Sequence, residues 1–349
     1  MYQPLRKIIE AGTRAPSGDN CQPWRFQAGR DSIDLFNVPA QDNSLYNYRQ
    51  RASLIALGAC LENMLIAAAD LGLEAQVGYF PEPDDKQHVA RVTLSRGTNL
   101  SEILYPSIAE RTSNRKNFSG GALAPEQALA LEASAGKVPG ATLLLHQDAQ
   151  KISEAADLVA CSDRLAFENP SLHGFLFDHL RWTPEQAEDS RDGMDILTLE
   201  LAPQDKLFFP LLKHFNFVRL AQRFGATRLI AANARKLMLS ASATGLISIA
   251  SSSDTSWLSA GRLLKRVWLE ATRIGLSFHL MTGTTLLLQR VREGDVTGLS
   301  KSNLELLNKA DALLSKLAGG AAVTALLFRV GFCSPPSGRS LRRSVSFGQ

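Results

Sequence analysis

The sequence predicts an α+β protein made of two related halves. Three observations carry that reading. Helical and strand patterns follow one another along the 349 residues, one helix-to-strand unit recurs at a fixed offset, and no low-complexity linker parts the two copies. Halves without a linker are expected to interlock rather than hang as separate beads.

The elements are read in chain order. Leu5, Ile8 and Ile9 mark a short amphipathic helix closing at Gly12, followed by a Pro-bounded loop, Ala15–Phe26. Strands are expected at Trp24–Ala28 and Ser32–Val38. Beyond Arg49, Leu54, Leu57, Leu61 and Leu65 recur at helical spacing, and that helix stops at Gly72 before a strand, Ala75–Phe80, broken by Pro81. A strand at Val89–Ser95 and a helix near Glu102–Ala109 complete the first half. The second half opens on Arg111–Phe118, then a helix from Pro125 and a strand at Ala141–His146. Asp163–Asp205 mixes aromatic and charged residues and reads as irregular. A helix at Thr227–Ser242 passes through Gly245 to a strand, Leu246–Ala250, followed by helix Ser256–Ile274 and strand Leu276–Met281. Helix Ser302–Lys316 and strand Val323–Val330 close the chain.

The repeat pairs Gly58–Leu73 with Gly261–Leu276 at an offset of 203 residues. Gly58/Gly261, Leu61/Leu264, Ala68/Ala271, Gly72/Gly275 and Leu73/Leu276 are identical. The first glycine permits close helix packing, and the last supplies the left-handed stop before a strand. A duplicated unit of this kind is what a fused dimer looks like.

Composition excludes several classes. The net charge of +4, from 38 basic and 34 acidic residues, is too mild and dispersed for a nucleic-acid binder, though it favours an anionic cofactor. Cys21, Cys60, Cys161 and Cys333 lie far apart with no CxxC, which fits free thiols in a reducing compartment and argues against structural zinc. The amino-terminal segment lacks the apolar core of a signal peptide, and the apolar stretch near Leu317–Phe328 is shorter than the roughly 20 residues of a bilayer span. A cytosolic protein without nucleic-acid or membrane partners is therefore expected. No GxGxxG, GxxxxGK[ST] or GxSxG occurs, so Rossmann, P-loop and α/β-hydrolase chemistry lack support. His173, Asp178 and His179 could be read as metal ligands, but their spacing suits no single helix face, and surface or lid structure is the expected role.

Two segments carry chemistry. In Ala15–Trp24, Pro16 and Pro23 stiffen a loop from which Ser17, Asn20 and Gln22 can present donors and acceptors to a planar heterocycle. In Arg111–Arg115, alternation on an extended segment puts Arg111, Ser113 and Arg115 on one side, as a phosphate clamp would need. Each is a weak signal alone, since polar loops and short basic runs are usually solvated surface.

Together they resemble the nitroreductase superfamily, whose signatures have the forms APSxxNxQPW and RxSxR followed by Phe; here these are APSGDNCQPW (Ala15–Trp24) and Arg111–Arg115 with Phe118. The resemblance extends over nearly the whole chain and is nearest to the Acg-like single-chain branch, through RASLIALGACLENMLIAAADLGL, WTPEQAEDSRDGM, DTSWLSAGRLLKRVWLEATRIGL and FRVGFCSPPSGRSLRRSV. It implies a nitroreductase-like fold of mixed antiparallel sheets, one half over 1–100 and the other over 101–349, with a lid-like insertion around 163–205. It implies FMN as cofactor and NAD(P)H as electron donor, with hydride passing through the flavin to a small organic acceptor. The protein residues then position and polarise, and no catalytic acid or base is named. By the same resemblance Arg111, Ser113 and Arg115 hold the phosphate, while Pro16, Ser17, Asn20 and Gln22 flank the ring. Thr282 and Gly283, after strand Leu276–Met281, bring backbone N–H groups to its reactive edge; Thr282 stands where active members often carry an acid. Either Arg342 or Arg343 reaches the pyrimidine side, with a plain basic tail as the alternative. Only one full set of parts is legible, so one FMN per chain is expected, in a monomer acting as a fused pseudo-dimer or in a homodimer. Phe175, Phe177 and Trp182 fit either a lid or the core. A lid closed permanently over the flavin would make the protein an FMN store, and a chain unable to bind flavin would act only as an interaction partner.

Overall fold

The computed structural model describes residues 3–97, 102–320 and 323–345. The expected boundary between halves, at 100/101, lies outside the described residues.

The chain begins with helix α1 (Gln3–Thr13) and strands β1 (Trp24–Ala28) and β2 (Ser32–Asn37). Helix α2 (Arg51–Asp70) leads into β3 (Leu73–Tyr79) and β4 (His88–Arg96). Helices α3 (Tyr105–Glu110) and α4 (Pro125–Ala135) precede β5 (Ala141–His146). A long excursion follows: α5 (Ala149–Glu168), α6 (Pro170–Asp178), β6 (Leu180–Arg181), α7 (Pro184–Ser190), β7 (Met194–Asp195), α8 (Pro203–Phe208), α9 (Phe215–Gln222) and α10 (Ala226–Leu239). The chain ends with β8 (Ala243–Ile249), α11 (Asp254–Arg273), β9 (Ser277–Leu280), α12 (Gly283–Arg292), α13 (Lys301–Ala318) and β10 (Val323–Gly331).

The two main sheets have one topology. The first runs β1-β2-β4-β3 and the second β5-β8-β10-β9, antiparallel throughout. A tight turn at 29–31 joins β1 to β2, whereas the excursion α5–α10 separates the corresponding β5 and β8. Likewise only a loop, residues 80–87, joins β3 to β4, while α12 and α13 lie between β9 and β10. The structure thus contains two like-built α+β halves, the second enlarged by helices.

The repeated helices α2 and α11 pack on each other at the centre of the core. A Cβ on Gly58 would stand 2.1 Å from the Leu258 carbonyl oxygen, and one on Gly261 would stand 1.9 Å from that of Ile55. Ile55 and Leu258 are themselves partners at the 203-residue offset, so the contact is reciprocal, as across a two-fold axis. Gly72 (φ +72°) and Gly275 (φ +77°) end the two helices in the left-handed conformation expected of them. Helix α2 with its leading turn (Tyr48–Asp70) has the length and hydropathy of a bilayer span, but 83% of the apolar window is buried within the chain; it is a core helix.

Three expectations change. Asp163–Asp205 is largely helical rather than irregular, because Asn169 caps α6 and Thr183 caps α7 through side-chain acceptors, and each helix buries a different short face. Gly245 lies inside β8 instead of before it, opposite Phe328, whose ring would be 2.1 Å from a Cβ there. Helix α12, beginning at Gly283, was not among the expected elements.

Candidate functional site

The loop after α1 is strained and heavily tied. Asp19 (φ 41°), Asn20 (φ 59°) and Gln22 (φ 56°) all take the left-handed conformation, which side chains other than Asn and Asp seldom adopt. The Ser17 hydroxyl accepts from the Gln22 backbone N–H at 2.9 Å. Asn20 Nδ2 donates to the carbonyls of Gly193 (2.9 Å) and Leu341 (3.0 Å), and its Oδ1 accepts from Arg342 Nη1 (2.7 Å). Gln22 Nε2 donates to the Arg191 carbonyl (2.9 Å), and its Oε1 accepts from the Arg343 backbone (2.9 Å). The expectation that these two amides present free edges to a ligand is therefore corrected: both are spent clamping the 191–193 and 341–343 segments onto the loop.

The clamp segment runs extended between α3 and α4. Asn114 faces inward, its amide donating to Ser277 Oγ (3.1 Å) and the Ser334 carbonyl (2.9 Å). Arg111, Ser113 and Arg115 face a cavity of about 140 Å³, lined also by Arg14, Ser17, Asp19, Asn20, Arg339 and Arg342. A second cavity of about 440 Å³ adjoins it, sharing Pro16, Ser17, Asp19, Ser113, Arg115 and Met194. Its walls are mostly apolar: Ile55 and Ala56 of α2, Trp268 of α11, Leu280 and Met281 at the end of β9, and Phe167 and Phe175 from the excursion. Arg111, in the wall of the smaller cavity, holds its guanidinium 4.5 Å from the centre of the Trp268 ring, which lines the larger one.

The electrostatics of the smaller cavity are one-sided. Arg14, Arg111, Arg115, Arg339 and Arg342 all line it, and none forms an ion pair among the described residues. Burial, then Arg342 and Arg339, pulls the Arg111 guanidinium down to about 9. Burial and Arg14 bring Arg342 to about 10. Lys265 is fully buried, its Nζ unpartnered; burial and the Arg111 and Arg342 charges hold it well below the ordinary lysine range. Arg111 Nη2 donates to the Arg14 carbonyl (3.2 Å), while its Nε is buried without an acceptor. The desolvated guanidiniums of Arg111, Arg115 and Arg342, with an orphaned donor among them and the exposed Arg14 and Arg339 at the rim, make a site that a multiply charged anion would stabilise.

Thr282 and Gly283 line the larger cavity, where α12 begins at Gly283. The first-turn N–H groups of a helix lack intrahelical acceptors and carry its positive pole, so this wall is suited to an electron-rich edge. A Cβ on Gly283 would lie 3.0 Å from Ser162 Oγ and 3.1 Å from the Tyr46 ring. Arg342 spends its donors on Asn20 and on the carbonyls of Thr13, Ala15, Ser340 and Leu341, so it contributes charge and rigidity. Arg343 lines neither cavity: it pairs with Asp192 and donates to Gln41 Oε1 (2.6 Å). Of Arg342 and Arg343, the structure brings only Arg342 to a cavity, and that is the smaller, arginine-lined one rather than the larger apolar one.

Several cavity residues escaped the sequence reading. Asp19, inside the first motif, is pushed up to about 6, chiefly by burial, with His179 opposing and Asp42 adding. Burial lifts Asp163 of α5 to about 7. His279 of β9 accepts at Nδ1 from Arg329 Nε (3.2 Å), and burial followed by the Arg329 and Arg115 charges keeps it well below the usual histidine range. The neutral ring then carries its proton on Nε2. No local pattern marks Asp163 or His279; only packing turns them to the cavity. Phe175 also reaches the cavity, whereas Phe177 is buried against Trp182 and Phe209. His173 Nε2 contacts the Leu212 carbonyl (2.7 Å) and His179 Nδ1 that of Phe175 (2.8 Å).

The position related by the repeat differs. The 203-residue offset carries Thr282 and Gly283 onto Tyr79 and Phe80. There Arg262 donates to Tyr79 Oη (2.6 Å) and Glu62 (2.8 Å), and Arg266 bridges Glu62 (2.7 Å) and Glu102 (2.6 Å). An ion-pair network occupies that face.

No family model matches the chain. An uncharacterised protein of Mycobacterium tuberculosis (strain CDC 1551 / Oshkosh) is 27% identical over 345 residues, 98% of this chain and 47% of that one. Two proteins of the same organism, each named "Putative NAD(P)H nitroreductase", are 29% identical over 119 residues (34% of this chain, 35% of the relative) and 33% identical over 100 residues (28% and 30%). The chain thus spans about half the length of the first relative and about a third of the other two. Among solved structures, an FMN-dependent nitroreductase from Clostridium difficile R20291 matches 70% of this chain and 98% of its own at 17% identity, TM-score 0.37. A nitroreductase with bound FMN from Desulfitobacterium hafniense DCB-2 matches 67% and 92% at 14% identity, TM-score 0.34. By sequence, the chain is similar over about a third of its length to proteins named as putative NAD(P)H nitroreductases.

Proposed function

We propose that this chain binds one FMN and is an oxidoreductase of the nitroreductase type, taking hydride from NAD(P)H and passing it to a small organic acceptor. The observation that carries the reading is the pair of adjoining cavities: a small one ringed by unpaired arginines beside a larger apolar one. That arrangement fits a molecule with a dianionic phosphate at one end and a planar aromatic ring at the other. The unsatisfied Arg111 Nε is the donor such a phosphate would engage.

In this reading Arg111, Ser113 and Arg115 hold the phosphate, with Ser17 beside them. Pro16 and the amides at Thr282 and Gly283 border the ring, and Arg342 adds charge while locking Asn20. Asn20, Gln22 and Arg343 act as positioning residues. FMN, when bound, would supply a two-electron carrier that no side chain can. The residues 1–100 and 101–349 form the two halves of a fused pseudo-dimer, and the ion-pair network at Tyr79 supports one flavin per chain.

The test is an absorbance spectrum of the purified protein followed by anaerobic NADPH and then NADH. A yellow protein bleached by either nucleotide supports the proposal. A colourless protein that FMN cannot reconstitute refutes it. One observation favours a second reading, in which the protein sequesters FMN. Residues 191–198 are tied to the site by Asn20, Gln22 and Arg343, and by Arg115, whose Nη1 donates to the Thr198 carbonyl (3.1 Å) and Nη2 to Met194 Sδ (3.5 Å). A segment pinned so often would not swing away from the two cavities it borders through Met194. Yellow protein that resists bleaching by both nucleotides is the outcome that reading requires.

A further inference from the structure

The surface of the excursion is unlike the rest of the molecule. Thirteen large apolar side chains are exposed among the described residues, and eight of them lie between Pro203 and Leu239. They include Leu207 (77% exposed), Phe208 (66%), Phe217, Leu220, Phe224 (85%) and Leu229. Phe217 and Leu220 are three residues apart on α9, with Phe224 a further turn along, while Val218 points into the core. Clusters of this kind on a folded surface mark a face that is covered in use.

The same stretch holds seven basic residues and a single acidic one, Asp205. Arg235 pairs with Asp157, but Lys206, Lys213, Arg219, Arg223, Arg228 and Lys236 have no ion pair among the described residues. The net charge of these 37 residues exceeds that of the whole chain, so the remainder is slightly acidic. The mild overall charge, read only as arguing against a nucleic-acid binder, conceals this segregation.

We infer that α8, α9 and the outer face of α10 form a docking surface for an anionic phospholipid bilayer, with Leu207, Phe208, Phe217 and Phe224 entering the headgroup boundary and the six cations meeting lipid phosphates. Short amphipathic helices with aromatic and leucine side chains beside Lys and Arg have the composition of interfacial anchors. A second copy of the chain suits the face poorly, because a symmetric contact would bring both sets of unpaired cations together. The inference stands apart from the flavin reading, though the two meet on α10: Leu237 lines the larger cavity while Leu229 and Leu239 face outward.

The test is co-sedimentation of the full chain with vesicles of equal parts phosphatidylglycerol and phosphatidylcholine, compared with phosphatidylcholine alone. The expected result is at least about tenfold stronger partitioning onto the anionic vesicles, weakened in about 0.5 M salt. Arg219→Glu with Arg223→Glu, and separately Phe208→Ser with Phe224→Ser, should each lower it about tenfold or more while leaving flavin content and thermal melting unchanged. Equal partitioning onto both vesicle types, or anionic binding unmoved by either pair, overturns the inference. So does a Phe224→Ser-sensitive dimer by sedimentation velocity in a protein that ignores vesicles.

Discussion

Replacing Arg111 by Met should move stability and ligand affinity in opposite directions. In the ligand-free protein Arg111 is buried, has no ion pair and leaves Nε without an acceptor. Its depression from 12.5 to about 9 corresponds to about 5 kcal/mol of unfavourable environment as an upper bound. Against this stand its contact with the Trp268 ring, worth about 1–2 kcal/mol, and one hydrogen bond of about 1 kcal/mol. Met fills similar volume and keeps the apolar contact. Arg111→Met should therefore leave the flavin-free protein as stable as the parent or about 1 kcal/mol more so. A charge-assisted bond to phosphate is worth about 1.5–3 kcal/mol, so flavin affinity should fall about 10- to 150-fold. Chemical denaturation of flavin-free protein measures the first quantity and quenching of FMN fluorescence the second. A variant that loses more than about 2 kcal/mol of stability yet binds FMN normally would show Arg111 to be a structural arginine and would refute the argument.

Two further predictions concern the core and the cavity charges. Gly261→Ala places a Cβ 1.9 Å from the Ile55 carbonyl, so α2 and α11 must part by about 1.5 Å to restore ordinary contact. Over-packing of about 3 kcal/mol should outweigh the roughly 1 kcal/mol gained in helix propensity, lowering Tm by a few degrees. Gly58→Ala should behave alike and the double variant should be less than additive, because both relax one contact; an unchanged Tm in Gly261→Ala would sink the packing account. Asp163, raised to about 7, binds its proton more tightly in the folded chain than in the unfolded one. Its contribution is thus fully present below about pH 4 and is lost as pH rises to about 7. Asp163→Asn should match the parent near pH 4 and exceed it by up to about 3 kcal/mol at pH 8, read from denaturation at each pH; a constant offset would contradict the cavity assignment.

Much of this molecule was legible locally. Leu54, Leu57, Leu61 and Leu65 announced α2 because helix burial repeats every 3.6 residues, and Gly72 and Gly275 announced its stop and that of α11 because the left-handed turn excludes most side chains. The repeat at 203 residues foretold two like-built halves, since equal patterns bury equal faces. Arg111, Ser113 and Arg115 were expected on one side from alternation; they line one cavity, but Thr112 between them lines it too, which alternation does not account for. What tertiary structure decided depends on partners far away in the chain. Asn20 and Gln22 offered amides, but Gly193, Arg191, Leu341 and Arg343 claim them across separations of 169 to 321 residues. Gly245 was placed before its strand because the reason for it, the Phe328 ring, arrives on another strand. Arg342 reaches the smaller cavity and its neighbour Arg343 does not, a choice made by Asp192 and Gln41. Asp163 and His279 carry no signature, since a side chain's charge state follows from the dielectric and charges that packing puts around it. Periodicity and backbone torsion are properties of neighbouring residues and survive in a bare sequence; hydrogen-bond partners, burial and field exist only once the chain has closed on itself.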